Sequence, residues 1–421
     1  MSLLKNSIWN FGGYIIPTIV ALPALGYIAR ELGAERFGLF ALCTAIVGYA
    51  SIFDAGLTRA VIREIAFNRT NKSELNKIIA TSNFAIIILG LVGAALLFMN
   101  IDNLVSLLKV SPRYKDDVVS SFKILTITIP LFLLNQIFVS YLEGMEDFFN
   151  INIQRCISSS LVAGLPAFFI ILHPTLTCAM IGLVCGRMVS LIISYYCAKE
   201  IVLTAGIRFH KQVLFRLLKF GGWITVSNII SPVMSYFDRF ILSNLLGAKS
   251  VGFYIAPSEF INRLINIPWA LARALFPKLS AAKTLSERKK NETIAYIMLS
   301  MVCIPAVIIG VGLSYTILNI WLGKEYAENS TYILQVLLIG FLFNSYAQIP
   351  FATIQAAGKA KITALIHCIE IIPYLVGLYF FIIHFGVIGA AYAWTIRVSL
   401  DFVILLVASR GIYKSVSYTH L

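Results

Sequence analysis

Twelve apolar stretches, each of about twenty residues or more, follow one another along the chain. As an α-helix rising about 1.5 Å per residue, each is long enough to cross about 30 Å of hydrocarbon. The pattern predicts helices over 6–28, 37–58, 78–99, 119–143, 151–172, 175–198, 219–242, 250–273, 291–313, 331–356, 362–383 and 387–408. The fifth and sixth are parted only by His173-Pro174, where proline breaks a helix. In lipid every backbone group must be satisfied within the chain. The expected fold is therefore an all-α polytopic membrane protein. Composition agrees: 59% of the 421 residues are hydrophobic and 13% charged, where a soluble domain has about 25% charged. Soluble, disordered, collagen-like and coiled-coil classes are excluded. The stretch after Lys5 is longer than a signal-peptide core and lacks a small-x-small cleavage site, so it reads as the first span.

The net charge is +14, from 34 Lys+Arg against 20 Asp+Glu. In a soluble protein this excess would point to nucleic acid; here it orients the spans. With both termini inside, the inner segments hold 21 Lys/Arg, the outer loops 7, and the helices the other 6. The inner loop 143–150 departs from the pattern, carrying Glu143, Glu146 and Asp147 and no Lys or Arg. Acidic residues count little in this rule. The seven cysteines all lie in apolar segments without a CxxC pair, so they read as small buried hydrophobes. No HExxH, GxxxxGK[ST], GxSxG or Cys/His metal spacing occurs, and no cofactor is expected.

The chain also repeats itself. Gly33-Ala34-Glu35-Arg36-Phe37-Gly38-Leu39-Phe40 matches Gly247-Ala248-Lys249-Ser250-Val251-Gly252-Phe253-Tyr254 at an offset of 214. The same offset takes Leu57-Thr58-Arg59-Ala60 onto Leu271-Ala272-Arg273-Ala274, and Gly144 onto Gly358. Phe11-Gly12-Gly13-Tyr14 resembles Phe220-Gly221-Gly222-Trp223 at an offset of 209. Each half holds six spans and starts inside, so the halves share one orientation. This predicts two six-helix lobes, 1–198 and 219–421, related by a pseudo-two-fold axis along the membrane normal. The linker 199–218 carries an apolar face (Phe209, Val213, Leu214, Leu217, Leu218) and a basic one (His210, Lys211, Arg216, Lys219). It reads as a cytoplasmic amphipathic helix on anionic lipid, or as a solvated linker.

Residues 29–66 run from Ala29-Arg30-Glu31-Leu32-Gly33-Ala34-Glu35-Arg36-Phe37-Gly38 through Phe53-Asp54-Ala55-Gly56-Leu57 to Arg63-Glu64-Ile65-Ala66. They resemble the N-terminal signature of the polysaccharide biosynthesis transporters, the O-antigen (Wzx-type) flippases. Tyr236-Phe237-Asp238-Arg239-Phe240-Ile241-Leu242 with Val251-Gly252-Phe253-Tyr254 is similar to the signature of their second lobe. That family belongs to the multidrug/oligosaccharidyl-lipid/polysaccharide exporter superfamily. The resemblance implies a V-shaped, two-lobed carrier working by alternating access. Its cargo would be an undecaprenyl-diphosphate-linked oligosaccharide, moved from the cytoplasmic to the periplasmic leaflet of a bacterial inner membrane. It also implies membrane lipids as partners, with the polysaccharide polymerase and chain-length proteins of the same pathway. Nucleic acid is not among them. One chain holding both lobes needs no dimer, so a monomer is expected.

Ionisable groups inside a membrane face a partner or a wet cavity. Arg263, Arg187 and Arg397 lie 13, 12 and 10 residues from the outer ends of their helices, roughly 15–20 Å deep. Arg59 and Arg155 lie nearer the cytoplasmic end and Arg239 nearer the periplasmic end. Arginine pairs bidentately with phosphate and stays charged. One reading makes Arg187, Arg263, Arg397, Arg59, Arg155 and Arg239 a cationic cavity for a diphosphate. The other is internal pairing, because Glu259/Arg263 and Arg397/Asp401 are i,i+4 and Asp238/Arg239 are adjacent. Arg187 has no acidic residue within a turn.

His367 and Glu370, i,i+3 in the eleventh span, read either as a proton-exchanging pair or, preferred, as a hydrogen-bonded packing pair. Asp54, Glu259 and Asp401 complete the candidates for ion coupling. Pro17, Pro23, Pro130, Pro166, Pro232, Pro268, Pro305, Pro350 and Pro373 fall within spans. Most read as packing kinks; Pro17, Pro23 and Pro232 are the gating candidates.

Two rivals stand beside the flippase. A drug efflux antiporter of the same superfamily would want an acidic cavity, against three midplane arginines. A multispan polymerase enzyme would need a large extramembrane loop, and the longest hydrophilic outer loop is about 100–118. The polar end Ser415–Leu421 carries no assigned function.

Overall fold

The computed structural model describes residues 3–281 and 284–418, and every regular element among them is helical. By contacts the chain divides into two compact units, Met1–Gly252 and Phe253–Leu421.

The first unit holds α1 (Leu3–Tyr49), α2 (Leu57–Phe67), α3 (Lys72–Met99), α4 (Ile101–Leu107) and α5 (Lys115–Gly144). It continues with α6 (Phe148–Leu172), α7 (Leu176–Cys197), α8 (Lys199–Ala205) and α9 (Lys211–Leu246). α6 packs on α7 and α1, and α5 on α3 and α7. The α6–α7 approach is close because Gly182 carries no side chain: a Cβ there would lie 2.6 Å from the Leu165 carbonyl oxygen. Polar caps start the spans. Asn71, Asp147 and Thr175 accept the backbone N–H of Glu74, Asn150 and Cys178. Asp117 of α5 also accepts the Leu176 and Thr177 N–H groups, each at 3.0 Å.

The second unit takes in α10 (Ala248–Leu264, whose first residues precede the boundary), α11 (Asn266–Ala281), α12 (Leu285–Gly312) and α13 (Ser314–Leu322). α14 (Lys324–Ala356), α15 (Ala360–Phe385) and α16 (Val387–Tyr418) follow. α14 is its central helix, packing on α11, α12, α13 and α16, and α15 lies on α16.

Among the described residues nine helical stretches are long and apolar enough to cross a membrane. Leu91, Met99, Ile171, Ile308 and Ile372 are all more than half exposed. Such a surface is stable only against lipid.

The helices differ from the expected spans in four places. The spans 6–28 and 37–58 abut as one stretch, α1, broken only at Gly33 (φ 73, ψ 170). Its second half ends at Tyr49, and α2, unforeseen in what reads as a loop, begins at Leu57 after Ala55 and Gly56 turn left-handed. The span 250–273 divides at Ile265, because Pro268 cannot donate the N–H a continuous helix needs and sits instead in the first turn of α11. The linker 199–218 is not one helix: α8 stops at Gly206 (φ 62), and from Lys211 the chain already belongs to α9.

The repeat reappears in the backbone. Gly247 (φ 82, ψ 164) copies Gly33, 214 residues on. Lys109 and Gly323, also 214 apart, both have positive φ, and the short helices α4 and α13 precede them. Gly358 is left-handed while its sequence partner Gly144 is helical, the left-handed residue there being Glu146. The side chains of Pro232, Phe11, Tyr14, Phe220 and Trp223 lie outside the described residues.

Candidate functional site

In the second unit, α15 and α16 bring four candidate side chains and Tyr374 together. His367, Glu370 and Tyr374 lie on one face of α15, spaced by three and four residues. Arg397 and Asp401 are one turn apart on α16. The His367 Nε2 lies 3.7 Å from the Asp401 Oδ1. The His367 ring stacks on Phe351 of α14, with centroids 5.8 Å apart. The Arg397 guanidinium sits over the Tyr374 ring, 5.2 Å from its centroid.

Glu370 and Asp401 are both buried. Neither Glu370 oxygen meets a donor at hydrogen-bonding geometry among the described residues. Two sequence expectations change here. His367 lies 3.7 Å from Asp401 of the neighbouring helix, and no hydrogen bond joins it to Glu370 among the described residues. The Arg397/Asp401 spacing yields no ion pair among the described residues, the guanidinium lying on Tyr374 instead, and the Arg397 Nε is buried without a hydrogen-bond partner. A cluster of two carboxyls, an imidazole and a guanidinium can hold a proton at Glu370, or an anion against Arg397.

Arg263, on α10, also has a buried Nε with no hydrogen-bond partner among the described residues. Glu259 lies one turn before it, partly buried.

In the first unit, Arg187 of α7 lies over the Phe132 ring of α5, 4.9 Å from the centroid. Its Nε is buried without a hydrogen-bond partner among the described residues. One turn on, Ser190 and Ser194 enter a polar network that the sequence reading missed. The Gln154 Nε2 donates to the hydroxyls of Ser158 (3.1 Å), Ser190 (3.4 Å) and Ser194 (2.8 Å). The Asn135 Oδ1 accepts from Ser194 at 2.6 Å. Each residue alone is an unremarkable polar side chain. The i,i+4 spacings Gln154/Ser158 and Ser190/Ser194 were the available signal.

The remaining candidates are dispersed. The Asp54 Oδ1 accepts the Thr58 N–H at 2.8 Å and so starts α2. Arg59 is exposed on α2, 3.9 Å from Glu143. Arg155 lies near the start of α6, partly buried. Asp238 and Arg239 are both buried, the Asp238 Oδ1 accepting the Arg239 N–H at 2.8 Å and the Arg239 guanidinium lying 5.2 Å from the Tyr236 ring centroid.

These features can be set beside known proteins. Residues 3–283 match the family described as "Polysaccharide biosynthesis protein". A Shigella flexneri protein named "Putative O-antigen transporter" is 50% identical over 405 residues, 96% of this chain and 97% of its own. Among solved structures, a multidrug resistance MATE family transporter of the MOP superfamily, in an inward-facing conformation, aligns with TM-score 0.84 at 15% identity, covering 98% of this chain and 99% of that one. The lipid II flippase MurJ in an inward closed conformation aligns with TM-score 0.79 at 15% identity, over 97% and 87% of the two chains. These two likenesses establish a shared fold. The family match and the identity over nearly the whole length establish more: the chain belongs to the polysaccharide biosynthesis protein family, and it is a multi-pass membrane transporter and not an enzyme.

Proposed function

We propose that the chain is a flippase that moves undecaprenyl-diphosphate-linked oligosaccharide repeat units from the cytoplasmic to the periplasmic leaflet of a bacterial inner membrane. It works as a monomer by alternating access, with both termini cytoplasmic and two six-helix lobes, 1–198 and 219–421, joined by 199–218. The observation that carries this reading is the 50% identity with the Shigella flexneri protein over nearly the whole of both chains. The intramembrane arginines supply matching chemistry. Arg187, Arg263 and Arg397 each have a buried Nε without a hydrogen-bond partner among the described residues. A guanidinium left with open donors in a low-dielectric interior is suited to a diphosphate, which offers several acceptor oxygens.

Transport is coupled to an ion taken up at His367, Glu370 and Asp401. Polysaccharide polymerase and chain-length proteins of the same pathway work on the delivered units.

The test is complementation of a deletion strain, following which membrane face carries the lipid-linked units. Units should accumulate on the cytoplasmic face in the deletion strain and with Arg187→Ala or Arg263→Ala, each variant being inserted normally. Normal surface polysaccharide in both variants would sink the arginine assignment. Accumulation of single units on the periplasmic face would make the protein act after translocation and overturn the flippase reading.

A further inference from the structure

A cavity of about 350 Å³ lies in the first unit, between α3, α5, α7 and the linker. Its walls include Asn83 and Ile87 of α3, Leu134 of α5 and Leu191 of α7, and the linker closes it with Val202 and Ile207. The volume admits about a dozen groups the size of a water or a methylene. Nearly all of the lining is apolar, and its rim residues Ile192 and Ile207 are exposed.

Two polar side chains, Asn83 and Tyr195, line this wall. Asn83 is 97% buried, and its Oδ1 has no hydrogen-bond partner among the described residues. A buried polar atom left so is costly, which favours an occupant that offers it a polar partner.

The linker sets the level of this group. Phe209 packs on Phe84 with centroids 5.4 Å apart, and the His210 Nδ1 lies 3.4 Å from the Thr81 Oγ1. Arg208 and Lys211 therefore lie beside the stretch of α3 that carries Asn83. Both are exposed, and neither forms an ion pair among the described residues. The acidic groups facing this end of the linker, Glu64 and Glu74, are engaged by Arg216 at 3.6 and 3.1 Å. Residues 199–219 hold five Lys/Arg and one acidic residue, Glu200. Leu203, Ile207, Phe209 and Phe215 are all more than half exposed, as suits a segment lying at a bilayer surface.

We infer that this cavity is a binding site for one anionic phospholipid of the bilayer. An acyl chain fills the space among Ile87, Leu134 and Leu191. The Asn83 amide, which carries both donors and an acceptor, bonds the ester group at the head of that chain, and Arg208 and Lys211 hold the phosphate. The cavity takes about a dozen carbons of one acyl chain, and the rest of the lipid lies in the bilayer beyond the exposed rim residues Ile192 and Ile207. This assignment is independent of the cargo.

Native mass spectrometry of the full chain in detergent, with palmitoyl-oleoyl phosphatidylglycerol or phosphatidylcholine added, tests it. Each basic residue near an anionic headgroup is worth a factor of about five in binding. Phosphatidylglycerol should be retained in clear preference to phosphatidylcholine. Arg208→Gln/Lys211→Gln, both exposed and safe for folding, should lower phosphatidylglycerol retention by about twenty-fold and leave phosphatidylcholine unchanged. Leu191→Trp, which fills the cavity, should reduce both. Equal retention of the two lipids by the unmodified chain overturns the proposal, as does an unchanged preference in the double variant or undiminished binding with Leu191→Trp. Displacement of phosphatidylglycerol by an equimolar amount of undecaprenyl phosphate would also overturn it, assigning the site to the cargo.

Discussion

The His367 Nε2 lies 3.7 Å from the Asp401 Oδ1 and so ties α15 to α16 next to the buried Glu370. Side chains in contact across a helix interface couple energetically, because changing one alters the surroundings of the other. His367→Gln and Asp401→Asn should therefore be non-additive, with a coupling of about 0.5–3 kcal/mol in a double-mutant cycle. Thermal unfolding of the full chain in detergent measures it, and strict additivity would show that the contact contributes nothing.

Arg187 lies on Phe132 with an unpartnered Nε, and this separates charge from fork geometry. Arg187→Lys keeps the charge but loses the planar fork. Export of lipid-linked units should fall by about ten-fold with lysine and be abolished with alanine, one ten-fold step being about 1.4 kcal/mol. Equal export by the lysine variant and the unmodified chain would show that charge alone suffices.

The network of Asn135, Gln154, Ser158, Ser190 and Ser194 makes a stability prediction. Gln154→Leu takes the amide donor from Ser158, Ser190 and Ser194, of which Ser190 and Ser194 keep Asn135, and should cost about 1–3 kcal/mol, whereas Ser158→Ala removes one exchangeable partner and should cost about 1 kcal/mol or less. Unfolding in detergent gives both values. The reverse order would mean that Gln154 is not the hub.

Glycine spacing gives a contrast between two positions. A Cβ at Gly182 would meet the Leu165 carbonyl oxygen at 2.6 Å, whereas a Cβ at Gly312 meets nothing within 4 Å. Gly182→Ala should destabilise by about 1–3 kcal/mol, and Gly312→Ala should be neutral or stabilising by up to about 1 kcal/mol. Melting temperatures of the two variants decide it.

A pH dependence follows at the exposed pair Arg69 and Glu146. The Arg69 Nη2 lies 2.7 Å from the Glu146 Oε1, and the Arg69 guanidinium holds that carboxyl below its ordinary value, by hydrogen bonding first and by charge second. A carboxylate with a lowered value contributes stability above the unfolded pKa, about 4.3 for glutamate. That contribution is lost as pH falls through the lowered folded value. Any melting difference between the unmodified chain and Glu146→Gln should therefore be present at neutral pH and vanish in acid. A difference that persists in acid would assign it to something other than this pair.

The all-α, multi-pass architecture was legible in the sequence because lipid leaves the backbone no other solution, and hydrophobic length alone marks a span. The repeat was legible too, and it recurs in the conformations of Gly33 and Gly247 because the same turn needs the same left-handed residue. Tertiary structure decided the partners. Spacing along one helix proposed Glu370 for His367 and Asp401 for Arg397, but a side chain in a bundle also has a neighbouring helix, and packing gave His367 to Asp401 and Arg397 to Tyr374. The Asn135–Gln154–Ser194 network was invisible for the same reason: its members come from α5, α6 and α7, and only the folded chain brings them within hydrogen-bonding distance.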